Sequence, residues 1–188
     1  MKKTKKFINI VAISLIITLC FFKIGIGILK IVGYPLNHFD IVKEEASKNN
    51  IDPYLVMAII KTESGFNKEA TSNKKAKGLM QIIDTTANDV NSQINVVDNV
   101  NENLYDEKVN IALGCKYLSN LIKKYNGNYY IAICAYNAGM GNVDKWIEQG
   151  IVPQDLNKYR NVILPFNETS SYLNRVVTRY KIYRFLYK

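Results

Sequence analysis

An apolar run that leads to a single acid constrains this chain more than any other stretch. The run, YLVMAII, covers residues 54–60, and Glu63 follows shortly after it. Asp52 is a residue type that caps helices, and Pro53 suits the first helical position, where a backbone N–H is not needed. The pattern predicts a largely buried helix that starts at Pro53 and carries Glu63 near its carboxyl end.

The position of Glu63 allows two interpretations. A single glutamate at a helix end is ordinarily solvated. Here the residue follows an apolar turn and precedes a polar loop with Gly65, which can shape a cleft. Burial beside apolar side chains disfavours the carboxylate and raises its pKa, as a general acid working near neutral pH requires. A solvated side chain and a catalytic acid both fit this stretch taken alone.

Four ordered blocks of sequence are more specific. They lie at 63–82, 110–118, 135–143 and 165–176. The first contains ES, FN, a loop serine and GLMQI; the others contain NI, G and YL, then AYNAG, and then PF, ET, Y and V. Together they resemble the lytic transglycosylases of the soluble-transglycosylase (SLT) type, whose fold is related to goose-type lysozyme. Four blocks in order indicate a family far more specifically than one short pattern does.

The resemblance implies both an architecture and an activity. It implies an all-α, lysozyme-like helical domain over residues 34–188, preceded by an N-terminal membrane segment over residues 1–33. The implied reaction cleaves the β-1,4 bond between N-acetylmuramic acid and N-acetylglucosamine in the glycan strands of peptidoglycan. Glu63 would act as general acid and base, and the products would carry 1,6-anhydromuramic acid ends. The resemblance implies no metal ion and no cofactor.

The same blocks indicate which residues would bind the substrate. Ser72, Gln81 and Asn137 would position the acetamido group or the sugar ring by hydrogen bonds. Met80 and Tyr172 would form apolar walls. The full expected set is Ser64, Ser72, Met80, Gln81, Tyr117, Tyr136, Asn137, Glu168 and Tyr172.

Two other functions stay open at this point. Glycosidases commonly use two carboxylates, and no motif places a second acid beside Glu63. The first alternative is a hydrolytic muramidase, in which water replaces the muramyl 6-hydroxyl. The second is a wall-binding component of a secretion, conjugation or sporulation assembly. The presence of Glu63, Gln81 and Asn137 argues against pure binding, because a binding protein does not need the acid.

The charge of the chain gives little support to nucleic-acid binding. The formal net charge is +9, but residues 1–33 hold six of the 25 basic residues and no acid. The remainder carries 19 basic against 16 acidic residues, a balance of only +3. Nucleic-acid binding needs a dense basic face. A mild positive bias suits an anionic cell wall or membrane surface instead.

The amino terminus predicts export. Residues 1–6 read MKKTKK, and an apolar run occupies 7–22. A basic end before an apolar run stays in the cytoplasm, and the chain beyond the run is exported. No small-residue cleavage site comes after the run, and Leu19 before Cys20 does not fit a lipid-attachment site. We therefore expect a single-pass membrane anchor with an extracytoplasmic domain, or a secreted domain if the segment is cleaved.

The remaining pattern predicts further helices and two side-chain environments. Helices are expected at 39–48, near 84–90 with Asp84 or Thr85 as cap, at 106–124 and at 129–138, with a loop at 91–103. The single histidine, His38, is expected to be a solvated linker residue. Cys115 and Cys134 lie on neighbouring predicted helices, where either a disulfide or two buried thiols would fit. Trp146 and most aromatic residues of the tail are expected in the core or on helix faces.

Overall fold

Eight α-helices form the part of the chain that the structure describes. The computed structural model describes residues 2–157 and 163–188, with side chains from residue 13 onward. The helices are α1 (Lys2–Ile28), α2 (Phe39–Lys48), α3 (Pro53–Glu63), α4 (Asp84–Ile94), α5 (Glu107–Lys124), α6 (Tyr129–Ala138), α7 (Met140–Glu148) and α8 (Asn167–Tyr187). Within these ranges, β structure is limited to isolated bridges made by Lys77 with Thr71 and Ile82. The predicted all-α class is confirmed.

The chain divides into two compact units, and the smaller one contains the amino-terminal helix. This unit comprises Met1–Leu36 and Leu186–Lys188, and the larger unit comprises Asn37–Phe185. Within the described residues, Ile13–Gly33 is long and apolar enough to cross a membrane. Helix α1 continues into a π-helical turn at Leu29–Gly33.

A side chain near the carboxyl terminus donates hydrogen bonds to backbone carbonyl groups at the end of that turn. The Tyr187 hydroxyl lies 2.7 Å from the carbonyl oxygen of Tyr34 and 3.2 Å from that of Lys30. The residue that would continue the i to i+5 pattern from Lys30 is Pro35, which has no N–H to donate. The tyrosine hydroxyl therefore takes the place of a missing backbone donor.

The larger unit begins with the two helices that lead to Glu63. Helix α2 has the predicted bounds. Helix α3 starts as predicted: the Asp52 carboxylate accepts the N–H of Tyr54 at 2.9 Å, and Pro53 occupies the first turn. Residues 55–60 are all buried, so α3 runs through the core. The helix ends at Glu63 because Gly65 and Phe66 take left-handed conformations, with φ of 58° and 72°.

Helices α5 and α6 form the second part of the core. The predicted helix at 106–124 is α5, with Asp106 as its cap: its carboxylate accepts the N–H of Val109 at 3.0 Å. Helix α6 has the predicted bounds and ends at Gly139, which has a φ of 83°. Cys115 and Cys134 are both free, buried thiols. The disulfide alternative is therefore excluded, and the interpretation as buried thiols is confirmed.

Three expectations about the region around α4 and α2 were wrong. The residue before α4 is Ile83, which offers no side-chain cap. Asp84 instead forms an ion pair with Lys77 at 2.8 Å, which ties α4 to the loop after α3. The helix also extends four residues beyond the predicted end, and a 3₁₀ turn occupies 100–102 in the predicted loop. His38 is not a solvated linker residue, because its Nδ1 atom contacts Oε2 of Glu107 and only 21% of its side chain is exposed.

Helices α7 and α8 close the domain over α3 and α6. Trp146 on α7 is buried, as expected, and its ring meets that of Phe166 edge to face at 5.1 Å between centroids. Helix α8 buries Tyr172, Val176 and Tyr183. Its amino-terminal half faces the end of α3, because the Tyr172 hydroxyl bonds to Glu63 there.

Candidate active site

The loop after α3 is closed by the side chain next to Glu63. The Ser64 hydroxyl lies 2.9 Å from the carbonyl oxygen of Leu79 and accepts the N–H of Phe66 at 3.1 Å. The first bond joins residues 15 positions apart. The end of α3 is thus fastened to the GLMQI segment, which returns the chain to the wall beside Glu63.

Asn110 on α5 supports that segment from behind. Its side-chain oxygen accepts the N–H of Met80 at 2.7 Å, and its NH₂ donates to the carbonyl oxygens of Leu104 at 2.7 Å and Lys77 at 3.0 Å. Gly78 has a φ of 77°, and a Cβ at that position would collide with Asn110 and with the Leu104 carbonyl. The second sequence block therefore has a physical role as the support of the first.

The Glu63 carboxyl group has a direct hydrogen-bond donor. The Tyr172 hydroxyl on α8 donates to Glu63 Oε1 at 2.6 Å. Burial raises the pKa of Tyr172 well above its usual value, and the nearby charge of Glu63 adds to this effect. The hydroxyl consequently stays protonated and acts as a donor. The two residues are 109 positions apart in the sequence, so the contact forms only when the chain folds.

Burial also sets the protonation of Glu63. Removal from water raises its pKa from 4.5 to about 7, and the negative charge of Glu168 contributes in the same direction. The hydrogen bond from Tyr172 and the positive charge of Arg175 act the other way, because both favour the carboxylate. Burial is the larger effect. Near neutral pH, Glu63 can therefore both donate and accept a proton.

A groove of about 680 Å³ opens in front of Glu63. Seven of the ten predicted site residues line it: Glu63, Ser72, Gln81, Tyr117, Tyr136, Asn137 and Glu168. They come from α3, the loop after it, α5, α6 and α8. The structure thus brings together residues that were expected from separate sequence blocks.

The other three predicted residues lie behind this lining. Ser64 closes the loop through its bond to the Leu79 carbonyl. Met80 is fully buried. Its side chain packs against Gly114, and a Cβ added at position 114 would collide with it. Tyr172 is only 2% exposed, and it meets Glu63 with its hydroxyl group. Met80 and Tyr172 had been expected to form apolar walls, but neither lines the groove. Each instead bonds to a residue that does: the Met80 carbonyl oxygen accepts the Tyr136 hydroxyl, and Tyr172 donates to Glu63.

The polar lining residues are themselves held in place. Gln81 has a φ of 51°, and its side-chain NH₂ donates to the carbonyl oxygens of Ala70 and Gly78 at 3.0 and 2.9 Å. These bonds engage both N–H donors, so Gln81 can offer its carbonyl oxygen to a ligand. The Asn137 oxygen accepts the hydroxyl of Thr169 at 2.7 Å, so Asn137 can offer its NH₂ group.

Tyr117 and Tyr136 form the wall between α5 and α6. Their ring centroids are 5.3 Å apart, and the Tyr136 hydroxyl donates to the carbonyl oxygen of Met80 at 2.9 Å. Burial raises the pKa of both hydroxyl groups. This wall is therefore uncharged, and the charged groups of the groove lining are Glu63, Lys74 and Glu168.

Sequence reasoning missed several residues of the site. Lys74, Ile83 and Thr86 line the groove, and no motif singled them out. Gly139 also lines it; it belongs to the AYNAG block but was not expected to be a site residue. Thr169 belongs to a recognised block, but its role in orienting Asn137 had no sequence signal. A lysine among several in a polar loop likewise carries no sign that it faces a groove.

Comparison with known proteins agrees with these observations. The family model described as the transglycosylase SLT domain matches residues 40–158. A putative soluble lytic murein transglycosylase of Haemophilus influenzae is 34% identical over 128 residues, which cover 68% of this chain and 21% of that protein. The soluble lytic murein transglycosylase of Escherichia coli K12 is 31% identical over 153 residues, which cover 81% of this chain and 24% of that protein.

Solved structures with the same fold are similar over most of the chain. An inactive mutant of lytic transglycosylase Slt from Pseudomonas aeruginosa aligns with a TM-score of 0.69 and 30% identity, over 80% of this chain and 24% of that one. The 70-kDa soluble lytic transglycosylase of Escherichia coli aligns with a TM-score of 0.72 and 29% identity, over 81% and 25% of the two chains.

The fold and the groove define an all-helical domain of the lysozyme-like class, with a partly buried glutamate at the groove. The chain belongs to the transglycosylase SLT domain family. It spans about a quarter or less of the length of the curated relatives from Haemophilus influenzae and Escherichia coli.

Proposed function

We propose that this chain cleaves the glycan strands of peptidoglycan as a lytic transglycosylase, with Glu63 as its general acid and base. The observation that carries the proposal is the partly buried Glu63 carboxyl group, which lines the groove and whose pKa desolvation raises to about 7. Family membership supports it, because the curated relatives are named as lytic murein transglycosylases. The Pseudomonas structure adds support, since replacing one glutamate by glutamine leaves that enzyme inactive.

The first step breaks the glycosidic bond. Protonated Glu63 gives its proton to the oxygen that links N-acetylmuramic acid to N-acetylglucosamine, and the bond from the anomeric carbon to that oxygen breaks. The acetamido group of the same sugar can stabilise the positive charge that develops at the anomeric carbon. Tyr172 stabilises the Glu63 carboxylate that remains, because its hydroxyl already donates to Oε1 at 2.6 Å.

The second step closes a ring. The Glu63 carboxylate takes the proton from the muramyl 6-hydroxyl, whose oxygen attacks the anomeric carbon. A 1,6-anhydro bond forms, no water is consumed, and Glu63 returns to its protonated state. A group with a pKa near 7 suits both steps, since neither protonation state is costly at neutral pH.

The other lining residues hold the substrate in this scheme. The Asn137 NH₂ and the Gln81 oxygen provide one donor and one acceptor, each oriented by bonds within the protein. Ser72, Tyr117 and Tyr136 complete the polar and aromatic lining. We assign Met80, Ser64 and Tyr172 a supporting role, because they lie behind the lining.

Glu168 makes a hydrolytic muramidase the second candidate. It is the other carboxylate that lines the groove, and its charge raises the pKa of Glu63. A second carboxylate could activate water, which would then attack in place of the 6-hydroxyl. An ion pair with Lys74 at 3.7 Å competes with that role. We therefore favour the transglycosylase.

The domain arrangement and location form part of the proposal. We propose that residues 1–33 form a single-pass membrane anchor and that residues 34–188 form an extracytoplasmic catalytic domain. The apolar helix at Ile13–Gly33 supports the anchor, and a peptidoglycan substrate requires the domain to lie outside the cytoplasm. If the segment is removed after export, the same domain would be secreted.

Mass spectrometry of released fragments tests the reaction. The full chain in detergent would be incubated with purified peptidoglycan, and the soluble products would be weighed. Ends with 1,6-anhydromuramic acid are about 18 Da lighter than hydrolysed ends, because no water is added. Such ends are expected. Reducing muramic acid ends would favour the muramidase, and binding without any product would favour a wall-binding component.

A further inference from the structure

An ion pair lies across the mouth of the groove. The Lys74 Nζ and Glu168 Oε2 atoms are 3.7 Å apart, and both residues line the groove. Lys74 belongs to the loop after α3, and Glu168 lies in the first turn of α8. The pair therefore joins two elements that face each other over the entrance.

The lysine sits on a turn with a fixed backbone. The N–H of Ser72 donates to the carbonyl oxygen of Ala76 at 2.9 Å, and the N–H of Ala76 returns a bond to the Ser72 hydroxyl at 3.1 Å. A third bond runs from the N–H of Lys75 to the Ser72 carbonyl at 2.9 Å. These bonds fix the backbone on both sides of Lys74, whose exposed side chain lies at the groove edge.

The ion pair itself contributes little to stability. The side chains of Lys74 and Glu168 are 79% and 66% exposed, and exposed pairs of this kind are weak because water screens them. An incoming anion can therefore replace Glu168 as the partner of Lys74 at little cost. Two other lysines of this loop are engaged elsewhere: Lys77 pairs with Asp84, and Lys68 lies near Glu107. Lys75, the exposed neighbour of Lys74, is not among the residues that line the groove.

We propose that Lys74 binds a carboxylate of the stem peptide carried by the glycan strand, and leaves Glu168 to do so. The inference rests on the proposed function, because it takes the strand to occupy the groove. The sugar rings are uncharged, whereas the stem peptides attached to muramic acid carry carboxylates. A cation on a fixed turn at the groove edge is placed to meet them.

Glu168 has the opposite effect on the same ligand. It competes for Lys74, and its negative charge repels an approaching carboxylate. Removal of the acid should thus strengthen binding, while removal of the lysine should weaken it. A pair that served only to hold the loop against α8 would behave differently, since loss of either partner would then have the same effect.

Binding measurements in a Glu63→Gln background test the proposal without depending on cleavage. The probe is soluble, uncrosslinked glycan strands with free stem-peptide carboxyls, compared with the same strands after carbodiimide and ammonium have converted those carboxyls to amides. Adding Lys74→Met is expected to weaken binding of the free-carboxyl strands about three- to fivefold, the size of one exposed charge pair, and to leave the amidated strands unaffected. Adding Glu168→Gln is expected to tighten binding of the free-carboxyl strands by a similar factor.

Lys75→Met provides the matched control, because Lys75 is an exposed neighbour on the same turn. It should change neither affinity. Equal weakening of both strand types by Lys74→Met, weaker binding with Glu168→Gln, or no binding of either strand type would overturn the proposal. The proposed function fails on a separate result, namely the absence of cleavage products from the wild-type chain.

Discussion

The Tyr172 hydroxyl donates a hydrogen bond of 2.6 Å to Glu63 Oε1, which joins α8 to the end of α3. Burial raises the pKa of the glutamate, and this bond limits the rise. The two opposing effects leave the pKa of the Glu63 carboxyl group at about 7. Tyr172 therefore lowers the pKa of Glu63 although it is almost fully buried.

Tyr172→Phe should shift the pH profile of cleavage. Loss of the donor removes an interaction that favours the carboxylate, so the pKa of Glu63 should rise further. The alkaline limb of kcat/KM should move upward by about one pH unit, and the maximum rate should fall about tenfold or more because a hydrogen bond to a charged group is lost.

Tyr180→Phe is the control for this change. It removes a hydroxyl from the same helix that bonds to a different carboxylate, Asp52, at 3.0 Å. Its pH profile should match that of the wild type. An unchanged alkaline limb in Tyr172→Phe would contradict the role given to this bond.

The raised pKa of Glu63 also predicts how stability depends on pH. Folded Glu63 keeps its proton up to about pH 7, whereas the unfolded chain releases it near 4.5. The folded state binds more protons in this window, so the stabilising contribution is complete below pH 4.5 and is lost as the pH rises through 7. Glu63→Gln does not titrate and escapes this loss.

Thermal or chemical unfolding in detergent at pH 4 and pH 8 measures the effect. Relative to Glu63→Gln, the wild type should lose about 3 kcal/mol between the two pH values, at about 1.4 kcal/mol for each pKa unit. Glu69→Gln changes an exposed acid of the loop after α3 and should show the wild-type pH dependence. Parallel curves for the wild type and Glu63→Gln would mean that Glu63 is solvated.

Gly78→Ala should destabilise the domain through two effects. The residue has a φ of 77°, and the added Cβ would collide with Asn110 and the Leu104 carbonyl. Gly65→Ala is a matched control, because Gly65 has a similar φ of 58° but no atom within 4 Å of the added Cβ. The control should cost about 1 kcal/mol of unfolding free energy from backbone strain alone, and Gly78→Ala about 3 kcal/mol or more. Equal losses in unfolding experiments would show that the support by Asn110 is not tightly packed.

Much of the fold could be predicted because local signals agree with the final packing. Asp52 and Pro53 start α3, and Gly139 ends α6, through backbone and capping preferences that act over a few residues. The end of α4 could not be predicted in the same way. The pairing of Asp84 with Lys77 depends on how the loop before α4 folds back. The pairing of His38 with Glu107 joins two elements far apart in the chain, which a single sequence does not place side by side.

The sequence predicted which residues belong to the candidate site better than what each residue does there. The resemblance to a family pattern identified ten residues, and seven of them line the groove. That pattern does not reveal which atoms point outward. Met80 packs on Gly114, and Tyr172 reaches Glu63, because α5 and α8 approach the loop from behind. Lys74 had no signal at all, since its position depends on how the loop folds over the groove.

The most direct test of the account is the release of fragments from peptidoglycan by the wild type, Glu63→Gln and Glu69→Gln. Removal of the proton donor should reduce the rate by at least about a thousandfold while binding to the strands is retained, and the exposed control should cleave at the wild-type rate. The wild-type fragments should end in 1,6-anhydromuramic acid. Comparable cleavage by Glu63→Gln would contradict the central claim that Glu63 is the acid and base of this site.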